Sequence, residues 1–334
     1  MSRLRRRLLW RTGLALGVGG LALVGLGVSL HAFIDQAAHA THGGDGLLLG
    51  LGVAAFAVAT ALAGPRFQAM VPLEDRHRLP STFALGRLFL AANALNLVLP
   101  GPAGDVALAS WLDRRHGLAV ERGVAVSLHA RLVGLAVTGL LAVGCALTLP
   151  LPHAVTPLLV AGVGLLGVLG STAGLVAARP KGLLQVGERL GLRRWSAVHT
   201  RVVKVVEALE AVRASRPRAW LEAAAWSLLI QGFVFVALLA STGAVGITAP
   251  LPSLLLTHAT GGLAAIGAVA LPAGGAGAYE VGFVAVLAGS SPLGAVEAGL
   301  VLVGMRLVQL LVIGLSSAVL LAGTPQLLRE PAPI

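Results

Sequence analysis

The sequence predicts an all-α polytopic membrane protein with six transmembrane helices and two re-entrant helical hairpins, arranged as an inverted repeat. The 334 residues are 56% hydrophobic and only 12% charged, with a mean hydropathy of +0.87, whereas a soluble domain is about 25% charged. In addition, proline, glycine and a carboxylate interrupt two apolar regions. Hydrocarbon tolerates such a break only where the freed backbone is buried in protein or lines a wet cavity.

Six apolar runs approach or exceed the roughly 20 residues that a membrane-crossing helix needs. The first follows an arginine-rich N-terminus, and its length favours an uncleaved helix over a signal peptide. The chain is therefore predicted to be one integral membrane domain over 1–334, with pseudo-repeat halves at about 1–156 and 157–334. The crossings are expected at about residues 12–33, 46–64, 124–148, 157–178, 219–242 and 293–321.

The two interrupted regions cover about residues 82–112 and 253–288. Proline removes a backbone donor and glycine loosens a helix, so each region is expected to turn back at its break. In the first region, Leu99-Pro100 precedes Gly104-Asp105. In the second, Leu271-Pro272 precedes Gly274, Gly275, Gly277, Tyr279 and Glu280.

Basic residues predict the orientation. If the N-terminus is cytoplasmic and both interrupted regions return to the side they came from, every basic loop lies inside, as the positive-inside rule requires. If the first region crossed the membrane, Arg114, Arg115 and Arg122 would lie outside. We therefore expect a multi-pass protein of the cell (inner) membrane with both termini cytoplasmic. The first hairpin would open from the cytoplasm and the second from the outside.

Residues 179–218 differ from the rest of the chain, because they carry ten basic and three acidic residues. Apolar residues recur in this stretch at roughly helical spacing. One interpretation is one or two amphipathic helices on the cytoplasmic face, with the basic side toward anionic lipid headgroups. A solvated linker helix is the alternative.

The inverted repeat has an internal check. Asp105 lies 26 residues before Arg131, and Glu280 lies 26 residues before Arg306. The two motifs are offset by about 175 residues, close to half the chain. Interrupted segments at matching positions are the best sequence indication of a midplane site in a transporter.

Ionisable groups inside a membrane are expensive, so these four residues are the strongest candidates for a site. Each arginine either holds a phosphate oxygen with its planar guanidinium group or pairs with the nearby carboxylate, and the two roles are compatible. The predicted substrate-binding residues are Asn93, Asn96, Asp105, Arg131, Gly274, Gly275, Gly277, Tyr279, Glu280 and Arg306.

Two of the polar candidates have competing interpretations. Asn93 and Asn96 precede the first break and either cap the broken helix or contact a headgroup. His258 is interpreted as a core histidine, with a proton carrier as the alternative.

The motifs resemble those of the transmembrane region of lysylphosphatidylglycerol synthases and related flippase-like membrane proteins. Asn96…Leu99-Pro100…Gly104-Asp105 is similar to the family's Asn-x-x-Leu-Pro-x-x-x-Gly-Asp/Glu motif, and Leu271–Glu280 is similar to its Leu-Pro…Gly-Gly-x-Gly-x-x-Glu motif. Arg306 stands where the family tends to have an arginine in its last long helix.

The sequence also departs from the family pattern. His129-Ala130-Arg131 stands where the family often has Glu-Arg, and Pro102-Ala103 replaces a usual arginine. We expect no aminoacyl-transferase domain after Glu330, so the resemblance implies the lipid-translocating part rather than the synthase.

The predicted function is flippase-like translocation of an anionic or phosphate-bearing lipid, of the phospholipid or polyprenyl-phosphate type, through a midplane cavity between the hairpins. The alternative is a membrane subunit or enzyme that presents a lipid-linked substrate to a partner transferase. No Gly-x-Ser-x-Gly, His-Glu-x-x-His or P-loop motif occurs, so neither enzyme activity nor a metal or other cofactor is predicted. The net charge of +11 is assigned to cytoplasmic loops and lipid headgroups rather than to nucleic acid. A homo-oligomer is left open.

Overall fold

The computed structural model describes residues 46–98, 103–149, 180–189, 196–213, 217–267 and 278–329. These ranges are predominantly helical and contain no strand. The crossings expected at about 12–33 and 157–178 lie outside the described residues. The helices are α1 (Gly46–Ala61), α2 (Ala63–Met70), α3 (Leu73–Arg76), α4 (Thr82–Val98), α5 (Ala103–His116), α6 (Val120–Thr148), α7 (Pro180–Arg189), α8 (Ser196–Arg213), α9 (Pro217–Ala244), α10 (Leu251–Gly267), α11 (Ala278–Ser290) and α12 (Ala295–Arg329).

Four stretches of helix in the described part of the chain are long and apolar enough to cross a membrane. They are Gly46–Met70, Val120–Thr148, Pro217–Ala244 and Ala295–Ser316. They agree with four of the predicted crossings and confirm an all-helical membrane protein. Large apolar side chains are exposed on these helices, for example Leu47, Leu140 and Leu310. In a bilayer such side chains face lipid, which is as apolar as they are.

The first of these helices runs further than the sequence indicated. The crossing predicted at about residues 46–64 ends too early, because α1 and α2 adjoin at Leu62, whose φ of −64° and ψ of −12° are helical. Pro65 falls in the first turn of α2, where its missing N–H costs little. Arg66 N–H donates to the Leu62 carbonyl at 3.2 Å. Arg66 therefore lies inside a candidate membrane span.

Both interrupted regions form helical hairpins. Helices α4 and α5 pack against each other, as do α10 and α11. The four helices contain 17, 14, 17 and 13 residues, fewer than the roughly 20 needed to cross a bilayer. The connections at residues 99–102 and 268–277 contain the two predicted breaks.

Helix α5 also extends beyond its predicted end. Asp113, Arg114 and Arg115 lie in the helix, not in the loop that the sequence indicated. Gly117 ends the helix with a φ of +66°, and the N–H of Leu118 donates to the Leu112 carbonyl at 3.4 Å. This is the arrangement of a glycine-terminated helix. Basic residues in the last turn are favourable there because the helix dipole is negative at that end.

The basic segment forms two helices, α7 and α8, which pack against each other. The apolar face of α8 is buried in protein, since Ala208, Leu209 and Val212 belong to a core that also contains Leu112 and Ala223. That face is thus covered by neighbouring helices rather than by lipid. Binding of anionic headgroups by the basic residues stays a prediction.

The chain divides into two compact units, and the boundaries at residues 58/59, 137/138, 231/232 and 312/313 fall within helices. The Asp105 unit contains described residues 59–98, 103–137, 180–189, 196–213, 217–231 and 313–329, and its core includes Phe67, Leu85 and Leu112. The Glu280 unit contains described residues 46–58, 138–149, 232–267 and 278–312, with Leu256 and Val286 in its core. Each unit holds one hairpin.

Candidate functional site

In the Glu280 unit, an arginine and a carboxylate meet, which is one of the two arrangements that the sequence left open. Helix α11 begins at Ala278 and places Glu280 in its first turn. Arg306 of α12 donates from Nη2 to Glu280 Oε1 and from Nη1 to Gln309 Oε1, the latter at 2.6 Å. Each Nη nitrogen of the guanidinium group therefore has an acceptor within the protein.

The Tyr279 ring stacks against this arginine. Arg306 Cζ lies 4.5 Å from the centre of the buried ring, a distance at which the ring face attracts a cation. The Tyr279 hydroxyl oxygen is 3.3 Å from His258 Nδ1. A Cβ atom at Gly261 would lie 3.2 Å from the ring, so the small residue there lets α10 approach α11 closely. His258 thus contacts the predicted site through Tyr279.

The Asp105 unit repeats the pair. Helix α5 places Asp105 in its first turn, where a carboxylate is favoured by the helix dipole. Arg131 of α6 lies with Nη2 2.5 Å from Asp105 Oδ2. The carboxylate is buried, whereas the Arg131 side chain is 53% exposed. The same 26-residue interval therefore joins an acid and an arginine in both halves of the sequence.

Arg66 is a third charged residue in this cluster, and sequence reasoning missed it. It interacts electrostatically with both Arg131 and Asp105. Its Nη1 atom lies 2.5 Å from the position that a Cβ atom would take at Gly134, one helical turn after Arg131. Within the described residues, its buried Nε atom has no hydrogen-bond partner.

A signal for Arg66 was present in the sequence. The apolar run that starts at Gly46 continues to Met70 with a mean hydropathy of 2.2, and Arg66 is the only formal charge between these two residues. The crossing predicted at about residues 46–64 stopped short of Arg66.

The remaining predicted residues fall in two groups, the asparagines and the glycines. Asn93 lies in α4 with a half-buried side chain, and Asn96 follows in the same helix. Gly274, Gly275 and Gly277 lie outside the described residues. Neither the capping role nor the headgroup role of the asparagines is tested, so both stay predictions.

With this geometry described, the sequence can be compared with known families. The family described as the lysylphosphatidylglycerol synthase TM region matches residues 8–317. The chain belongs to this family. The match spans both hairpins and both acid–arginine pairs, and it identifies a membrane domain linked to lipid handling. No curated protein and no solved structure matches the chain.

Proposed function

We propose that this member of the lysylphosphatidylglycerol synthase TM-region family translocates an anionic, phosphate-bearing lipid across the membrane. The observation that carries the proposal is the repeated pair, Asp105–Arg131 and Glu280–Arg306, at the start of the second helix of each hairpin. Charges in apolar surroundings are costly and concentrate where a transporter meets its substrate. Two unrelated structural ion pairs would have no reason to share an interval and a position.

The chemistry of the pairs suits a phosphate group. Guanidinium presents a planar fork of N–H donors that matches phosphate as well as carboxylate, so a headgroup can replace Asp105 or Glu280 as the acceptor. The 53% exposure of the Arg131 side chain leaves part of its fork accessible. The carboxylate then keeps each arginine paired while no lipid is bound, which lowers the cost of a buried charge.

The hairpin topology is part of the proposal. Six crossings and two re-entrant hairpins would make one pair accessible from the cytoplasm and the other from the outside. Alternating access between inverted repeats would then move the headgroup while the acyl tails stay in lipid. Without a nucleotide-binding motif in the sequence, a gradient or downhill lipid flow would drive the movement. His258 is the residue to test for proton coupling.

Reconstituted protein tests this function against the alternative of presenting lipid to a transferase. Liposomes would contain a phospholipid with a fluorescent headgroup, and a membrane-impermeant quencher would report which leaflet holds it. Translocation predicts that the protected fraction disappears while mass spectrometry finds the lipid chemically unchanged. Conversion of the lipid, or activity only with a co-purifying partner, would instead indicate the alternative.

A further inference from the structure

The two acid–arginine clusters are not equivalent. An offset of about 175 residues relates Asp105 to Glu280, Arg131 to Arg306 and Gly134 to Gln309. In the Glu280 unit, Gln309 accepts a hydrogen bond from Arg306 Nη1 at 2.6 Å, and the Tyr279 ring covers the guanidinium face. Both Nη nitrogens and one face of that guanidinium group therefore contact protein groups.

The Asp105 unit has a glycine at the position that corresponds to Gln309. The missing side chain at Gly134 leaves room that the Arg66 guanidinium group uses, because Nη1 lies 2.5 Å from where a Cβ atom would be. The Asp105 cluster thus contains a second arginine, Arg66, whereas the Glu280 cluster contains Gln309. Two guanidinium groups and one carboxylate give this cluster one net positive charge.

The net charge and the buried Nε–H group of Arg66 both require an explanation. A buried donor without a partner is destabilising, and a net charge in apolar surroundings is more so. A bound anion would resolve both, since its oxygens would accept hydrogen bonds from the two arginines and its charge would neutralise the excess.

We propose that Arg66 and Arg131 form an anion-binding site in the Asp105 unit that selects a singly charged phosphodiester, with Gly134 as the residue that makes room for the second arginine. A phosphodiester carries one negative charge and leaves the occupied cluster neutral. A zwitterionic headgroup would add a cation beside two guanidinium groups, which repel it. Gly134 determines this specificity because it has no side chain, and a longer residue at that position would displace Arg66.

The identity of the anion as a lipid headgroup rests on the proposed function, whereas the anion site itself does not. Binding would be measured by native mass spectrometry of the full-length protein in detergent, titrated with dioctanoyl phosphatidylglycerol, dioctanoyl phosphatidylcholine or inorganic phosphate. Phosphatidylglycerol is expected to bind more tightly than phosphatidylcholine. If inorganic phosphate displaces phosphatidylglycerol at equal concentration, the ligand is the free ion; if it does not, the ligand is the headgroup.

Two substitutions should weaken binding of phosphatidylglycerol. Arg66→Gln is expected to weaken it about tenfold, the size expected from losing a hydrogen bond to a charged group. Gly134→Gln keeps every charge and should act in the same direction by displacing Arg66. The matched controls are Arg78→Gln, at a half-exposed arginine, and Gly144→Gln, in the same helix with nothing within 4 Å of its Cβ position. Neither control should change binding.

A third substitution should act in the opposite direction. Asp105→Asn removes the carboxylate that competes with the anion, so binding should tighten. A loss with Asp105→Asn equal to the loss with Arg66→Gln would overturn the proposal, because general loosening of the cluster would produce it. Unchanged binding in both Arg66→Gln and Gly134→Gln would also overturn it. If binding follows the predicted order but liposomes show no lipid movement, the proposed function fails and the site stands.

Discussion

Arg306 of α12 donates a hydrogen bond to Glu280 of α11, and the ring of Tyr279, the neighbour of Glu280, covers the same guanidinium group. The side chain of Arg306 is 32% exposed and that of Glu280 is 18% exposed. Acid, aromatic ring and arginine therefore form one unit that ties the second hairpin to the last long helix. We expect this partly buried pair to stabilise the fold.

A double-mutant cycle should show that this pair is coupled. Glu280→Gln and Arg306→Gln should each lower thermal stability in detergent, since each leaves a partly buried charge without its ionic partner. The double variant should lose less than the sum, with a coupling free energy of roughly 1–3 kcal/mol. Additive losses would mean that Glu280 and Arg306 do not depend on each other.

Asp75 is expected to be a structural anchor of the Asp105 unit. It is 3% exposed, accepts a hydrogen bond from Arg122 Nη1 and lies 3.7 Å from Arg78 Nη1. Asp75→Asn should reduce the free energy of unfolding by about 1–3 kcal/mol, because Arg122 would lose its buried ionic partner.

Glu74 provides the matched control for Asp75. It lies 3.7 Å from the same Arg122 but is 73% exposed, and exposed ion pairs contribute about 0–1 kcal/mol. Circular dichroism melting of Glu74→Gln should therefore resemble that of the wild type. Equal losses at Asp75 and Glu74 would contradict the assignment of the anchor to the buried carboxylate.

Gly64 should be the glycine least tolerant of a side chain in the membrane-length stretch Gly46–Met70. A Cβ atom there would lie 2.8 Å from the Gly86 backbone nitrogen, and backbone cannot yield as a flexible side chain can. Gly64→Ala should destabilise the protein by about 1–3 kcal/mol through the contact of α2 with α4. Gly50→Ala has nothing within 4 Å and should raise helix stability by up to about 1 kcal/mol. Melting curves that do not separate the two variants would rule out this close contact.

His258 tests whether a proton takes part in translocation. Its contact with the Tyr279 hydroxyl suits a structural role, so His258→Gln should lower stability by about 1 kcal/mol and leave the pH dependence of lipid movement unchanged. The measurement is the translocation rate in liposomes between about pH 5 and 8, where histidine titrates. If the wild-type rate changes with pH and the variant rate does not, His258 is a proton carrier.

The sequence predicts the hairpins and identifies the four charged residues of the two pairs for clear physical reasons. Proline and glycine interrupt a helix in an apolar run, and a membrane tolerates such a break in few places. Pro100 and Pro272 therefore mark the breaks from the local sequence alone. In each half, the acid lies in the second helix of the hairpin and the arginine lies in the long helix that follows. The same interval along the chain therefore brings an acid and an arginine together in both halves. The sequence could therefore single out Asp105, Arg131, Glu280 and Arg306, but it left open whether each acid and arginine pair with each other or hold a ligand.

The contribution of Arg66 and the burial of α8 could not be predicted in this way. The apolar run shows that Arg66 lies in a membrane helix, but no local pattern indicates that it interacts with Asp105, because the two residues lie in different helices. The apolar stripe that includes Leu209 and Val212 has the same period whether lipid or protein covers it. Only the packing of the neighbouring helices distinguishes the two cases.

The most direct test of the central claim is lipid movement by the triple variant Arg131→Ala, Arg306→Ala and Glu280→Ala in liposomes. The folded triple variant, checked by gel filtration, would be compared with the wild type and with Glu74→Gln at equal protein density. The account predicts rapid loss of the protected headgroup pool for the wild type and Glu74→Gln, and the protein-free rate for the triple variant. Movement by the triple variant at the wild-type rate would contradict the assignment of these residues to the lipid site.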